Sequence, residues 1–382
     1  MPGMLKDRTP AARTPRAGDH LAVDRAVSEL RRGGIVAVRA GPENDRLALA
    51  VAAELIADDT VARLRLLAGS DPVLAITRNR AAALGSGGSA PVVSLTLPAG
   101  IPADRVAAIA DPTAGVVETA GLVTLPEPES GPAAAALRLI KLARLIPAAL
   151  VAAVPDVPAA RMESWARDHA LLLVDRAAVD AHRQVAAKRL VRAAAARVPL
   201  LDAEDCEVIA FRPLDGGLEH VAIRIGDPDT TQPVLIRLHS SCLTGDLLGS
   251  LRCDCGDQLR GAIRAIAEAG GGVLLYLAQE GRDIGLINKL KAYSLQDLGA
   301  DTVDANTMLG YDDDERVYYP AAEMLGLLGI RRVRMMTNNP EKLGQLAACG
   351  VEVVERVRHV FPSNRHNERY LDAKATRSGH LF

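Results

Sequence analysis

Aromatic residues are scarce in this 382-residue chain, at 3% of the composition, and they are unevenly placed. Residues 1–200 contain no Phe or Tyr, whereas the three Phe and six Tyr all lie from Phe211 onward. A prior of about 150 residues per domain predicts two or three domains for this length. The uneven use of aromatics favours two domains of different origin, joined near an Ala/Arg-rich segment that ends at Val198-Pro199.

An excess of charge of one sign is also absent. The net charge is −2, which disfavours a generic nucleic-acid binder or a polybasic membrane protein. The most apolar stretch, residues 133–154, is interrupted by Arg138, Lys141 and Arg144, so we predict a buried helix and strand there. No apolar secretory segment occurs in the first 20 residues. We therefore expect a cytoplasmic protein with no nucleic-acid or membrane partner and a flexible tail over residues 1–19.

Cysteine is rare, with five residues, and the reducing cytoplasm makes a disulfide framework unexpected. Three of them, Cys242, Cys253 and Cys255, fall within 14 residues. Thiolates in a tetrahedral array select Zn²⁺, and three protein ligands would leave a fourth position for water, as in a catalytic site. Two alternatives stay open: a closed structural zinc site with His239 as the fourth ligand, or small buried side chains without a metal.

A zinc ion with three thiolates is a net negative centre, so its water would need cationic neighbours to become hydroxide. Six cations lie close in sequence to the cysteines: Arg237, Arg252, Arg260, Arg282, Lys289 and Lys291. Arg282 is the most suggestive, because it lies in a glycine-hinged loop directly after a predicted buried strand. Arg260 is expected to lie on a solvated helix face.

Two further segments could take part in chemistry. Residues 336–342 join a predicted strand to a predicted helix, where free N–H groups, Thr337 and Lys342 could bind a phosphate. Four acidic residues at positions 312–315 precede Arg316. Such a run is usually a solvated loop or a helix cap. The functional alternative makes one carboxylate a general base or magnesium ligand and Arg316 a clamp on a phosphoryl group.

Apolar periodicity predicts an α/β fold in both halves. In the first half we predict a helix over residues 22–32 and strands at 35–38, 73–76, 92–97, 148–154 and 171–174. In the second half we predict helices over 257–269, 286–298, 320–328 and 340–349 and strands at 273–277, 332–336 and 351–354. The alternation in the second half indicates that some of its strands pair in parallel.

Four ordered motifs resemble those of GTP cyclohydrolase II: HSSCLTGD at 239–246, LRCDCG at 251–256, QEGR at 279–282 and TNNPEK at 337–342. The likeness extends from about residue 208 to about residue 371. That family opens the imidazole ring of GTP and releases formate and pyrophosphate, in the first step of riboflavin biosynthesis. The resemblance implies the same reaction here and, as is usual in the family, a homodimer.

The resemblance also implies roles for individual residues. One Zn²⁺ per chain would be held by Cys242, Cys253 and Cys255, which favours the open catalytic site. The implied GTP contacts are Arg237, Leu238, His239, Ser240, Ser241, Gln258, Glu280, Gly281, Arg282, Thr302, Thr337 and Lys342. Tyr293 would be essential, Asp314 the proton acceptor and Arg316 the nucleophile toward the α-phosphate. Because a guanidinium stays protonated, we expect Arg316 to act as a transition-state clamp instead.

The implied reaction has two hydrolytic stages at one zinc: ring opening at C8 of guanine, then release of the formyl carbon as formate. Tyr293 would transfer protons or orient the formyl group, and its presence favours complete deformylation. Magnesium would offset the charge of the GTP phosphates while pyrophosphate leaves.

The first half resembles 3,4-dihydroxy-2-butanone 4-phosphate synthase, through residues 23–38 and the Ala-Asp-Arg element at 103–105. Residues 39–46, RAGPENDR, stand where that family has an acidic metal-binding loop, and residues 131–134, GPAA, replace its GHTE element. Without those carboxylates and that imidazole, the domain could not hold two metal ions or move protons on ribulose 5-phosphate. We predict a catalytically inactive module with a structural, dimerising or regulatory role.

The sequence thus predicts a two-domain α/β enzyme. Its parts are a tail over residues 1–19, a degenerate synthase-like domain over 20–185, a linker helix over 186–198 and a GTP cyclohydrolase II domain over 199–382. Two alternatives to this function are a paralogue of secondary metabolism that makes a different pyrimidine from GTP, and a non-catalytic GTP-binding scaffold with a structural zinc.

Overall fold

The computed structural model describes residues 17–41, 46–86, 88–115, 117–118 and 122–361. The chain divides into two compact units, residues 1–182 and residues 183–382. Each unit contains a seven-stranded sheet with helices, so the predicted two-domain α/β class is confirmed. Most of the predicted tail, residues 1–16, lies outside the described residues, as do residues 42–45 of the loop predicted to be degenerate.

The N-terminal unit is built on a largely antiparallel sheet. Its strands are β1 (Val36–Arg39), β2 (Leu47–Ala52), β3 (Val73–Thr77), β4 (Val92–Thr96), β5 (Thr124–Glu127), β6 (Ala148–Val154) and β7 (Leu172–Asp175). Its helices are α1 (Ala17–Leu30), α2 (Asp58–Ala68), α3 (Arg78–Ala83), α4 (Ala103–Ala110), α5 (Pro132–Leu142) and α6 (Met162–Asp168). The strand order is β5-β4-β3-β6-β2-β1-β7, and the β1–β7 pair is parallel.

Both faces of this sheet are buried, and small aliphatic side chains fill them. Along β2, Leu47, Leu49 and Val51 face one apolar cluster, whereas the intervening alanines face the other. Helices α2 and α4 contribute to the first cluster, and α1 and α5 to the second. Because successive strand residues point to opposite faces, β2 is buried along its whole length. Aliphatic side chains, with Trp165 packed against the first cluster, therefore form a core that has no Phe or Tyr.

The C-terminal unit is built on a mixed sheet. Its strands are β8 (Leu190–Arg197), β9 (Cys206–Pro213), β10 (His220–Ile225), β11 (Val234–Ser240), β12 (Gly272–Leu277), β13 (Arg332–Met336) and β14 (Glu352–Val357). Helix α7 (Arg176–Ala187) contains the boundary between the units, and the later helices are α8 (Cys255–Glu268), α9 (Leu286–Asp297), α10 (Thr302–Met308), α11 (Tyr319–Leu327) and α12 (Glu341–Ala348). The strand order is β14-β13-β11-β12-β10-β9-β8.

Parallel pairing is confined to the half of this sheet that carries the sequence motifs. Strand β11 pairs in parallel with both β12 and β13, and β13 pairs in parallel with β14. The predicted parallel pairing is therefore confirmed. Since parallel neighbours end at the same edge of a sheet, the segments that follow β11, β12 and β13 meet there, which is where open α/β sheets bind ligands.

The predicted linker helix over residues 186–198 is wrong. Helix α7 ends at Ala187, and residues 190–197 form β8, which pairs antiparallel with β9. Alanine favours a helix in isolation, but hydrogen bonds of the sheet ladder outweigh that weak preference when a partner strand is available. Residues 190–197 thus belong to the sheet of the C-terminal unit, which begins before the predicted boundary at residue 199.

The apolar stretch at residues 133–154 forms most of α5 and all of β6, as predicted. Within the described residues, no helix has the length and apolarity needed to cross a membrane.

Candidate active site

A cavity of about 180 Å³ lies at the carboxyl ends of β11, β12 and β13. Its walls contain every residue that the sequence nominated for metal binding, substrate binding or catalysis, except Thr302. The side chain of Thr302, at the start of α10, lies outside the described part of the chain. The structure therefore brings together four motifs that are separated by up to about a hundred residues in sequence.

The three cysteines converge at one side of the cavity. Cys242 follows β11, and Cys253 and Cys255 lie at the start of α8. The Sγ atoms of Cys242 and Cys253 are 3.7 Å apart, and the three sulfurs all lie within 4.8 Å of one another. Three sulfurs at about 2.3 Å from a tetrahedral zinc ion would be about 3.8 Å apart. The donor set and its spacing thus fit one Zn²⁺.

Gly245 allows the sulfurs to approach. A Cβ atom at this position would lie 2.8 Å from the Sγ of Cys253 and 3.0 Å from the Sγ of Cys242, closer than side chains normally come. The backbone N–H of Gly245 also donates to the Sγ of Cys242 at 3.3 Å. The turn therefore requires glycine, and it supports a thiolate at Cys242 rather than a neutral apolar side chain.

Lys289 supplies the positive charge that a tris-thiolate site needs. Its Nζ donates to the Sγ of Cys242 at 3.1 Å, to the Oγ1 of Thr244 at 3.0 Å and to the Oε1 of Glu280 at 2.7 Å. Burial opposes the charge, but the carboxylate of Glu280 and the sulfur of Cys242 raise the pKa of Lys289 above its ordinary value. Hydrogen bonds from the neighbouring cysteines, and from Lys289, in turn lower the pKa of Cys242.

Asp246 fixes the geometry behind the cysteines. Its carboxylate accepts from the backbone N–H of Cys242 at 2.9 Å and from the Tyr276 hydroxyl at 2.9 Å, and the Nε2 of His239 lies 3.0 Å from its Oδ1. A carboxylate only accepts, so this nitrogen of His239 must donate to it. The closed zinc site with His239 as fourth ligand therefore does not fit this arrangement through Nε2.

Lys289 and Asp246 are the site residues that sequence reasoning undervalued. Lys289 is one of six cations near the cysteines in sequence. Asp246 lies in a turn, where aspartate is common, so the sequence singles out neither residue. Both side chains contact partners that are distant in sequence, Cys242 for Lys289 and Tyr276 for Asp246. For Lys289, a usable signal is the QEGR motif, because its glutamate, if buried, needs a cationic partner.

Arg237 lies deep in the cavity wall. One of its terminal nitrogens donates to the carbonyl of Met336 at 2.9 Å, and the other hydrogen-bonds with Gln258. Burial lowers the pKa of Arg237 to about 10, so the side chain keeps its charge at neutral pH. Its Nε has no hydrogen-bond partner among the described residues. A buried guanidinium with an unused donor fits an anionic or carbonyl group of a ligand.

The segment after β13 forms a compact turn that leads into α12. The hydroxyl of Thr337 accepts from the N–H of Asn339 at 3.0 Å, and the side chain of Asn339 accepts from the N–H of Glu341 at 2.9 Å. The expectation that the N–H groups of this helix start are free is therefore wrong for Glu341, because an asparagine turn caps it. Lys342, buried in the cavity wall, remains as the cation of this segment.

Arg316 and Asp314 form a close ion pair in the acidic run. The Nε of Arg316 donates to Asp314 at 2.7 Å, a second nitrogen bonds the other carboxylate oxygen, and Nη1 lies 3.5 Å from the Ser240 hydroxyl. Burial alone would raise the pKa of Asp314, but the charge and hydrogen bonds of Arg316 hold it below its ordinary value of 3.8. Asp314 is therefore ionised. Asp313, Asp314 and Arg316 line the cavity, whereas Asp312 is exposed.

Tyr293 projects from α9 between two cations. The guanidinium carbon of Arg252 lies 5.0 Å from the centre of its ring, and the Nζ of Lys289 lies 5.8 Å from it. Burial raises the pKa of Tyr293, so its hydroxyl stays protonated and can donate a hydrogen bond.

Sequence comparisons of the C-terminal unit with known proteins match a single family. A family model described as GTP cyclohydrolase II matches residues 191–358. A GTP cyclohydrolase-2 of Azospirillum brasilense is 54% identical over 365 residues, which cover 94% of each chain. A GTP cyclohydrolase-2 of Cronobacter sakazakii is 52% identical over 194 residues, which cover 51% of this chain and 98% of the relative.

Among solved structures, a two-domain 3,4-dihydroxy-2-butanone 4-phosphate synthase of A. baumannii matches with a TM-score of 0.37 and 17% identity, over 88% of this chain and 99% of that chain. A likeness at this level decides nothing about the chemistry of either unit.

Proposed function

The chain belongs to the GTP cyclohydrolase II family and is a hydrolase of riboflavin biosynthesis, and from that premise we propose where and how it acts. The reaction converts GTP to 2,5-diamino-6-(5-phosphoribosylamino)pyrimidin-4(3H)-one, formate and pyrophosphate. It takes place in the cavity at the carboxyl ends of β11, β12 and β13. The observation that carries this assignment is the convergence of three cysteine sulfurs beside Arg237, Arg282, Arg316 and Lys342 in a single cavity.

Cys242, Cys253 and Cys255 hold one Zn²⁺. When bound, this ion would supply the Lewis-acid chemistry that the two hydrolytic stages need. Three thiolates on a divalent ion leave one net negative charge, which weakens that Lewis acid. Lys289, hydrogen-bonded to Cys242, offsets this charge, and Asp246 holds the Cys242 backbone in place.

The remaining residues bind and orient the substrate. Arg282, Arg316 and Lys342 offer positive charge to the triphosphate, and a bound Mg²⁺ would offset more of the negative charge of the phosphates. Asp314 is ionised and can accept a proton, whereas the guanidinium of Arg316 stabilises charge on the α-phosphoryl group. The protonated hydroxyl of Tyr293 donates to the formyl group and favours its complete removal.

The N-terminal unit is catalytically inactive as a butanone-phosphate synthase. Arg39, where the acidic loop of that family would begin, pairs with Asp175 through two hydrogen bonds. Pro132 opens α5, and the following alanines at 133 and 134 are buried at 3% and 1% exposure in an apolar cluster. This environment offers no imidazole or carboxylate at those positions. The unit has a structural, dimerising or regulatory role.

The protein acts as a cytoplasmic homodimer. The five cysteines are free, which is typical of proteins in the reducing cytoplasm. Exposed leucines near the cysteines support an association surface, since Leu247 and Leu248 are 74% and 70% exposed.

The test is incubation of the purified full chain with GTP and Mg²⁺, followed by identification of every product. Stoichiometric formate, pyrophosphate and the diaminopyrimidine are expected. Consumption of GTP without formate would instead favour a paralogue with another product, and bound zinc without GTP consumption would favour a scaffold. Conversion of ribulose 5-phosphate by the same preparation would contradict an inactive N-terminal unit.

A further inference from the structure

We propose that Arg183 is a positioning residue that holds together the two loops carrying Arg282 and the Asp314–Arg316 pair. Arg183 lies on α7, at the first position of the C-terminal unit, and precedes the residues that match the family model. The proposal rests on the roles proposed above for Arg282, Asp314 and Arg316.

One guanidinium spans both loops. The Nη1 of Arg183 donates to the backbone carbonyl of Glu315 at 2.5 Å, and its Nη2 lies 3.5 Å from the Oδ2 of Asp283. Glu315 stands between the two residues of the ion pair, and Asp283 follows Arg282 directly. The Arg183 side chain is 25% exposed and that of Asp283 is 14% exposed, so water screens this pair only in part.

The loop at Asp283 has a backbone conformation that needs such support. Arg282 and Asp283 have φ angles of 59° and 76°, in the left-handed region that favours glycine. Two consecutive residues with side chains keep this conformation only where their surroundings enforce it. Arg183 can stabilise this backbone conformation through its contact with the carboxylate of Asp283.

The same conformation sets the direction of Arg282. Its Nη1 donates to the carbonyl of Asp313 at 3.0 Å, and its own carbonyl accepts from the N–H of Glu315 at 3.3 Å. The two loops thus already contact each other on the cavity side, and Arg183 adds bonds to both. Its removal should loosen Arg282 and the Asp314–Arg316 pair together, with no effect on the cysteines.

The experiment is a double-mutant cycle in the full-length protein. Arg183→Met should lower kcat/KM about tenfold, which corresponds to about 1.4 kcal/mol, with zinc content unchanged. Asp283→Gly alone should stay within about twofold of the parent, because glycine adopts a φ of +76° without support. The double variant should recover to within about threefold of Asp283→Gly, a rescue that a general loss of stability would not give.

Three results would overturn the proposal: Arg183→Met within twofold of the parent, an equal loss with and without Asp283→Gly, or an unfolded Arg183→Met variant that Asp283→Gly does not restore. Arg189→Met is the matched control, because that guanidinium bonds the Leu214 carbonyl instead. Arg282→Met and Arg316→Met belong in the same assay. Full activity in those two variants would overturn the proposed site itself, whereas their loss beside an active Arg183→Met would overturn the role of Arg183 alone.

Discussion

The two units share a seven-stranded sheet but differ in what they bury. Among the described residues, buried polar side chains number five in the N-terminal unit: His20, Thr77, Arg80, Ser94 and His182. The C-terminal unit has thirteen, spread from His220 to His359. Burying a polar group costs free energy unless it is hydrogen-bonded, so a fold retains many of them mainly where they act on a ligand. The difference supports a ligand-binding site in the C-terminal unit.

Arginines at strand ends show the same contrast at the level of single residues. Arg39 ends β1 in the N-terminal unit, and both of its bonds go to Asp175 at the end of the neighbouring β7. Arg237 lies on β11 in the C-terminal unit, and in the described part of the chain nothing accepts a hydrogen bond from its Nε, which faces the cavity wall. A saturated pair stabilises a fold, whereas an unsaturated donor in a cavity can bind substrate. Substitutions in the two units can test this contrast between stabilising and substrate-binding residues.

Removal of one sulfur should have the largest effect. Cys255→Ser should lower the rate of ring opening at least about a thousandfold, because an alcohol is a much poorer zinc ligand than a thiolate. The measurements are metal content and formate release in the purified variant. Cys349→Ser, which changes a half-buried thiol at the end of α12, should retain both properties. A metal-free Cys255→Ser protein with full activity would remove the basis of the comparison.

Neutralising the carboxylate of the acidic run should come next. Asp314→Asn should lower kcat about a hundredfold, since it removes a proton acceptor. Asp229→Asn, in the exposed loop before β11, is the charge-matched control and should be neutral.

The pH profile sharpens this prediction. The pKa of Asp314 lies below its ordinary value of 3.8, so the carboxylate becomes protonated only at a pH lower than this value. Its titration should therefore produce no acid limb in kcat between about pH 5 and pH 8. An acid limb in that range that disappears in Asp314→Asn would contradict the lowered pKa.

Lys289→Met should have an intermediate effect, a loss of about tenfold in kcat/KM, because the charge-assisted hydrogen bond to Cys242 is removed. In the Co²⁺-substituted protein, the sulfur-to-metal charge-transfer band should move to lower energy, since the thiolate becomes a stronger donor. Lys188→Met, which removes an exposed cation, should change neither property. An unshifted band would show that Lys289 does not act on the metal site.

Sequence reasoning predicted what depends on local patterns. Spacing alone brought the three cysteines into one hypothesis, and periodicity found α8, α9, α11 and α12 to within a few residues. Strand β2 was missed, although every one of its residues is apolar and buried. Strand β8 was predicted as a helix because alanine-rich runs favour helices until a partner strand pairs with them.

The contacts that complete the site could not be read from spacing. Lys289 meets Cys242 across 47 positions, and Arg183 meets Glu315 across 132. Such pairs depend on how strands and helices pack, which no local window contains. The left-handed backbone at Asp283 is hard to predict as well, because aspartate adopts this conformation only occasionally and gives a weak sequence signal for it.

The smallest effect on catalysis is expected in the N-terminal unit. The side chain of Asp175 is 21% exposed, and Arg39→Met removes the main partner of its carboxylate. This substitution should lower the free energy of unfolding of the unit by about 1–2 kcal/mol. Trp165 is the single tryptophan of the chain and lies on α6, so its fluorescence during urea unfolding reports on this unit.

Activity toward GTP should remain within about twofold in native buffer, because the pair in the N-terminal unit stabilises the fold and contacts no substrate. Arg65→Met breaks a more exposed pair with Asp71, at 41% and 85% exposure, and should lower the free energy of unfolding by less than about 0.5 kcal/mol. If Arg39→Met lowered kcat tenfold while the tryptophan transition stayed in place, the first unit would be contributing to chemistry. The saturated arginine pair would then be a functional element, and the contrast between the two sheets would fail at the residue that defines it.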